Sequence, residues 1–223
     1  MSIQTILEAT NLCKSVTAPE GELTILNAVS MSISAGSSVA ITGSSGSGKS
    51  TLLGLLAGLD TPTSGKVILD GHNISEMDED GRARCRAGRV GFVFQSFQLV
   101  HSLSALENVM LPMELAGHTH ARQRAKEILK QVGLSERGSH NPSQLSGGEQ
   151  QRVAIARAYA VQPKILFADE PTGNLDQKTG AAIIELLFDM NNHSETTLVL
   201  VTHDVSLASQ CDVTYQLEAG QLV

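Results

Sequence analysis

The 223-residue sequence reads as an α/β chain with a β-rich start and a helical insertion, and three observations predict this. Apolar and polar residues alternate through the first forty positions, the period of half-buried strands. A glycine-rich turn near residue 45 divides an apolar run from a helical face, and the middle third changes to a period of 3.6. Short apolar runs then alternate with helical stretches to the C-terminus, as in parallel α/β folds.

The elements follow in order. Leu23-Thr24-Ile25-Leu26 and Val29-Ser30-Met31-Ser32-Ile33 carry the strand alternation. Val39-Ala40-Ile41-Thr42 is a strand that runs into the turn, and Leu52, Leu53, Leu55, Leu56 and Leu59 mark a helix ending near Gly58. Strands are expected from Lys66 to Leu69 and from Val90 to Phe94. Ala121, Ala125, Ile128, Leu129 and Val132 form one helical face, closed by Gly133. Ile165 to Ala168 and Leu198 to Val201 are strands, separated by a helix from about Gln177 to Asn191.

With 41% apolar residues the chain can bury a sizeable core as one domain of two lobes. Its longest apolar stretches fall short of the roughly 18 residues that span a bilayer. Met1-Ser2-Ile3-Gln4 lacks the basic and apolar parts of a secretory signal, so a soluble cytoplasmic chain is expected. Cys13, Cys85 and Cys211 have no zinc spacing and read as free thiols of a reducing compartment. A net charge of -7 argues against nucleic acid as a partner; the one basic run, Arg82 to Arg89, reads as a solvated helix face or linker.

Gly43-Ser44-Ser45-Gly46-Ser47-Gly48-Lys49-Ser50 fits the pattern G-x-x-x-x-G-K-[ST] between a predicted strand and a predicted helix. Glycines let the backbone curl so that successive N–H groups face phosphate oxygens, and the helix N-terminus adds partial positive charge. Lys49 is suited to neutralise the β and γ phosphates of ATP, and the Ser50 hydroxyl to ligate Mg²⁺; Thr51 completes the binding segment. Asp169 and Glu170 end a buried strand at its C-terminal edge, where α/β proteins bind ligands. Asp169 is suited to the Mg²⁺ shell and Glu170 to orienting the water that attacks the γ-phosphate. Read alone, Asp-Glu-Pro-Thr is equally a cap on the next segment.

Leu145-Ser146-Gly147-Gly148-Glu149-Gln150-Gln151-Arg152, upstream of the strand carrying Asp169, resembles the signature motif of ABC ATPases. Physically, Ser146 and the glycine pair open a helix and can bind an anion there. Gln95 resembles the Q-loop glutamine, Asn174-Leu175-Asp176 the D-loop and His203 the switch histidine, all in the family's order. The resemblance covers about residue 5 to the C-terminus. It implies a P-loop NTPase fold in one domain, 1–223, with a RecA-like core and antiparallel β subdomain in 1–95 and 156–223 and a helical signature subdomain in 96–155. It implies a head-to-tail homodimer in which each Mg-ATP lies between one copy's Gly43 to Thr51 and the other's Ser146, Gly147, Gly148 and Glu149. Glu170, His203 and Gln95 would be catalytic, and Ser50, Gln95 and Asp169 would hold Mg²⁺. Where relatives carry an adenine-stacking aromatic, after the stretch Leu12-Cys13-Lys14, this chain has Val16.

The 96 residues between Lys49 and Ser146 hold no heptad run or metal cluster, which favours a membrane-coupled ATPase over soluble ABC proteins of DNA repair or ribosomes. Val93-Phe94-Gln95-Ser96-Phe97, Leu106-Glu107-Asn108-Val109 and the run from Phe167 to Asp176 are similar to the lipoprotein-release, macrolide-export and cell-division group, and most similar to its YbbA-like branch. That resemblance implies a permease-type membrane partner, peripheral placement on the inner face of the bacterial inner membrane, and mechanotransmission or export of a lipophilic or lipoprotein-type substrate. An amino-acid-type importer ATPase is the alternative; such importers more often read Pro-Thr-Ser-Ala-Leu-Asp where this chain has Pro171 to Asp176.

Overall fold

The computed structural model describes residues 4–18 and 21–223. Its elements run β1 (Thr5–Ala18), β2 (Gly21–Ser34), β3 (Ser38–Thr42), α1 (Lys49–Leu56), β4 (Ser64–Leu69), β5 (His72–Asn73), α2 (Glu79–Arg86), β6 (Val90–Phe94), α3 (Ala105–Leu115), α4 (Ala121–Gln131), α5 (Gly147–Tyr159) and β7 (Ile165–Asp169). They continue with α6 (Gln177–Ser194), β8 (Thr197–Val201), α7 (Val205–Ala208), β9 (Val213–Glu218) and β10 (Gln221–Leu222). Met1, Ser2 and Ile3, on which the reading of the N-terminus rests, lie outside the described residues. The chain divides into two compact units, Met1–Ala87 with Thr197–Val223, and Gly88–Thr196.

The first unit holds an antiparallel sheet of order β2-β1-β4-β5 and a second set of strands, β10-β9-β3-β8, in which β3 runs parallel to both neighbours. β1 and β2 alternate as the sequence predicts, and they bury Leu7, Leu12, Leu26 and Ile33 at 1% exposure or less. The two predicted strands between Leu23 and Ile33 are one strand, kept continuous by a bulge: Ala28 takes φ 53° and Asn11 on β1 takes φ 49°. β3 and β8 are covered along their length, which is why Val39-Ala40-Ile41 and Leu198-Val199-Leu200-Val201 read as apolar runs and not as alternation. α1 packs Leu52, Leu53, Leu55 and Leu56 against β2, β4 and β8. Arg82 and Arg86 on α2 are tied to Glu79 at 2.5 and 3.0 Å, so the basic run is partly neutralised within its own helix.

In the second unit β6 and β7 pair in parallel from Val90↔Ile165 to Phe94↔Asp169, and α5 packs on β6. The predicted lobe 96–155 lies within this unit, together with both strands and α6. Its helices α3, α4 and α5 share a core of Leu106, Val109, Met113, Ala125, Leu129 and Val153. The face predicted on α4 is the buried one, from Ala121 to Val132. Asn108 of α3 is fully buried and saturated: its Nδ2 donates to the carbonyls of Val100, Leu103 and Ser104, and its Oδ1 accepts from the Val100 N–H. Among the described residues no helix is long and apolar enough to cross a membrane.

Candidate functional site

The glycine-rich loop joins β3 to α1 in the first unit, and its glycines are there for steric reasons. Gly43 has φ 152°, and a Cβ on it would stand 2.2 Å from the Leu217 carbonyl oxygen. Gly48, at φ 101°, caps α1, and a Cβ there would stand 2.9 Å from Leu26 Cδ2. Gly46 takes φ 78° with no atom within 4 Å of its Cβ position, so it is the open side of the turn. The loop thus curls with its backbone accessible, as a phosphate cradle requires.

The chemistry of the loop fits a polyphosphate. α1 starts with neither a side-chain cap nor an acidic residue in its first turn, which leaves the helix N-terminus to an external anion. Lys49 is 9% exposed, and its ammonium group donates to the carbonyls of Gly43 and Ser44 at 2.9 Å each. A lysine folded over its own loop stands where incoming phosphate oxygens can replace those carbonyls. Ser47 Oγ is buried without a hydrogen-bond partner, a donor such an oxygen would satisfy.

His203, just after β8, is exposed and lines one groove with Gly43 and Ser44. The structure therefore brings the predicted histidine to the phosphate loop. Its neighbour Asp204 caps α7; the Ser206 hydroxyl, two backbone N–H groups and His203 hold its carboxyl below the usual carboxylate range.

The second unit places Gln95, Asp169 and Glu170 at the ends of β6 and β7. The register Phe94↔Asp169 makes Gln95 and Glu170 the next residues beyond adjacent strand ends. Glu170 takes φ 46°, an unusual conformation for a carboxylate residue, and its carbonyl accepts from the Gly173 N–H at 3.0 Å. The buried Gln151 of α5 donates to the Pro171 carbonyl at 2.7 Å and so ties the signature helix to this turn. Asp176 caps α6, and the Thr179 hydroxyl and N–H depress its carboxyl pKa.

Ser146 caps α5 in a reciprocal box: the Glu149 N–H donates to Ser146 Oγ at 3.3 Å, and the Ser146 N–H donates back to the Glu149 carboxylate at 2.8 Å. Arg137 Nε adds a bond to the same carboxylate at 2.9 Å. The Ser146 N–H and then Arg137 hold Glu149 ionised at unusually low pH. Gly148 is required by packing, since a Cβ would stand 2.5 Å from Thr179 Cγ2 on α6.

Two contacts that matter to the arrangement were not foreseen, although Asn174 itself stands in the stretch that resembles the D-loop. Asn174 exchanges hydrogen bonds with Gln95, 79 positions away, and Arg157 on α5 clamps the carbonyls of Phe97 and Gln98. Neither spacing has a local period that would reveal it.

The sequence profile of the ABC transporter family matches residues 26–173. The chain is 54% identical over its whole length to the ABC transporter ATP-binding protein YbbA of Escherichia coli K12, covering 98% of that protein. It is 47% identical to the lipoprotein-releasing system ATP-binding protein LolD of Pseudomonas syringae pv. tomato, covering all of this chain and 99% of that one. The solved ATP-binding cassette MJ0796, in a dimeric post-hydrolysis state bound to ADP and Pi, superposes with a TM-score of 0.88 at 41% identity, over 97% of this chain and 96% of that one. Loop geometry, strand-end carboxylates, fold and sequence agree: the chain belongs to the ABC transporter family, as an ATP-binding subunit with that family's ATPase character, in the group of YbbA- and LolD-like proteins.

Proposed function

We propose that the chain hydrolyses Mg-ATP in a homodimer and that this cycle drives a permease-type membrane partner in lipoprotein release or a related extracytoplasmic movement of lipophilic cargo. The observation that carries the ATP reading is Lys49, buried and folded over the carbonyls of a loop whose glycines leave its backbone open. Full-length similarity to LolD supports the choice of process.

In this reading Gly43 to Thr51 wraps the triphosphate, and Lys49 trades its carbonyl partners for β and γ oxygens. Ser50, Gln95 and Asp169 offer a hydroxyl, a carboxamide and a carboxylate oxygen, the hard donors that suit Mg²⁺. Held by these three residues, Mg²⁺ would supply neutralising charge to the phosphates. Glu170 holds and polarises the attacking water, and His203 contacts the γ-phosphate. Ser146, Gly147 and Gly148 of a second copy close the other side of the nucleotide. The Glu149 carboxylate serves by holding that helix start in shape, because a charge at this position repels phosphate. Residues 96–155 form the lobe that docks the membrane subunit at the cytoplasmic face.

Affinity purification from detergent-solubilised membranes followed by mass spectrometry tests the assignment. A co-purifying integral membrane protein with a large extracytoplasmic domain is expected. Recovery of a multi-span solute channel, or of no membrane protein, would contradict it.

A further inference from the structure

Gln95 leaves β6 with its side chain already engaged. Its Nε2 donates to Asn174 Oδ1 at 3.1 Å, while Asn174 Nδ2 donates to the Gln95 main-chain carbonyl at 2.9 Å. The pair fixes its own orientation. A carbonyl oxygen can only accept, so Asn174 must turn its Nδ2 toward Gln95 O; its Oδ1, again only an acceptor, then requires Nε2 from the Gln95 side chain. The Gln95 Oε1 therefore points away from Asn174, and it is the one atom of the carboxamide able to bind a cation.

Gly173 supplies the steric half of the arrangement. A Cβ at this position would lie 2.7 Å from Gln95 Nε2, 2.9 Å from Cδ and 3.2 Å from Cγ, so only glycine leaves room for the side chain where it lies. The chain after Gln95 is held as well. Arg157 donates to the carbonyls of Gln98 and Phe97 at 2.6 and 3.1 Å, and both residues are in the left-handed region, at φ 48° and 61°. Charge-assisted bonds to two successive carbonyls stabilise a turn that the backbone alone disfavours.

We infer that Gly173 and Asn174 are positioning residues for Gln95, selecting the amide orientation in which Oε1 is presented to the Mg²⁺ of Mg-ATP. The inference rests on the reading of Gln95 as an Mg²⁺ ligand given above. A carboxamide pinned through its nitrogen loses little rotamer freedom on ligation and does not present its NH₂ group to the cation. The hydrogen bonds between Asn174 and Gln95 thus serve metal affinity more than fold stability, since both Gly173 and Asn174 are exposed.

The test is calorimetric titration of β,γ-imido-ATP, which is not hydrolysed, in Mg²⁺ and in EDTA, on the full chain and its Gln95→Ala, Asn174→Ala, Gly173→Ala and Gln95→Ala/Asn174→Ala variants. The readout is the factor by which Mg²⁺ tightens nucleotide binding. Asn174→Ala and Gly173→Ala are expected each to lower that factor by about threefold to tenfold, the worth of one or two hydrogen bonds. Affinity in EDTA stays within about twofold, because no phosphate contact is touched. In the Gln95→Ala background, Asn174→Ala has no further effect. A wild-type factor in either single variant, with Gln95→Ala lowered, overturns this inference alone. An equal loss from Asn174→Ala with and without Gln95 also overturns it. An unchanged factor in Gln95→Ala overturns the reading of Gln95 and this inference with it.

Discussion

At the scale of the residue, Lys49 and Glu170 separate binding from chemistry. The Lys49 ammonium has two carbonyl partners in the loop, so its role is to exchange neutral acceptors for charged ones when phosphate arrives. Lys49→Ala should weaken ATP binding about tenfold to a hundredfold, the range for hydrogen bonds to charged groups, as read by calorimetry. Glu170→Gln should keep ATP affinity and lower steady-state phosphate release by at least about a hundredfold, since only the water-polarising carboxylate is lost. Val16 stands 37% exposed opposite Leu23 at 56%, an aliphatic pair at the position where the family resemblance implies an aromatic ring. Val16→Tyr should tighten ATP binding by about fivefold through base stacking, measured by competition with a fluorescent nucleotide; unchanged affinity would remove Val16 from the base-binding surface. At this scale the sequence was informative where chemistry is local: the phosphate loop was legible from spacing, whereas Asp169-Glu170 read equally as a cap until set beside that loop. The Gln95–Asn174 exchange was not, because its two halves come from segments with no sequence relation.

At the scale of the element, capping and buried polar groups decide which helices hold their shape. Asn108 satisfies four backbone groups from inside the core of the second unit. Asn108→Leu removes the side-chain partner of the Val100 N–H and of the Leu103 carbonyl, while Val100 O and Ser104 O keep backbone donors, a loss of about 3 kcal/mol and a thermal midpoint lower by roughly 6 to 12 °C. The Ser146–Glu149 box makes the start of α5 sensitive to acid. Glu149 has a depressed pKa in the folded chain, so its contribution is complete above its unfolded value of about 4.3 and disappears as pH falls through the folded value. The gap in thermal midpoint between wild type and Glu149→Ala should therefore be constant from pH 7 to about 5 and narrow below that. A gap independent of pH would show that Glu149 acts by packing. The ends of β6, β7 and β8 were predicted within a residue because covered parallel strands read as apolar runs. The long β2 was read as two pieces, because the bulge at Ala28 interrupts the alternation that marks a strand.

At the scale of the whole molecule, the predicted site residues are shared between two compact units, with Gly43 to Thr51 and His203 on one and Gln95, Ser146 to Glu149, Asp169 and Glu170 on the other. Sequence order alone did not reveal this division, since β6 and β7 join the helical part through a pairing between residues 90–94 and 165–169. In the proposed reading, nucleotide and subunit contact are one event: ATP on the phosphate loop of one copy is completed by Ser146-Gly147-Gly148 of another. The most direct measurement is light scattering of Glu170→Gln on a sizing column, with and without Mg-ATP. The account predicts the mass of a single 23.6 kDa protomer without nucleotide and twice that mass with saturating Mg-ATP, reverting to the single mass when Ser146→Arg is added. A mass that stays at one protomer in saturating Mg-ATP, with calorimetry showing the nucleotide bound, would contradict it.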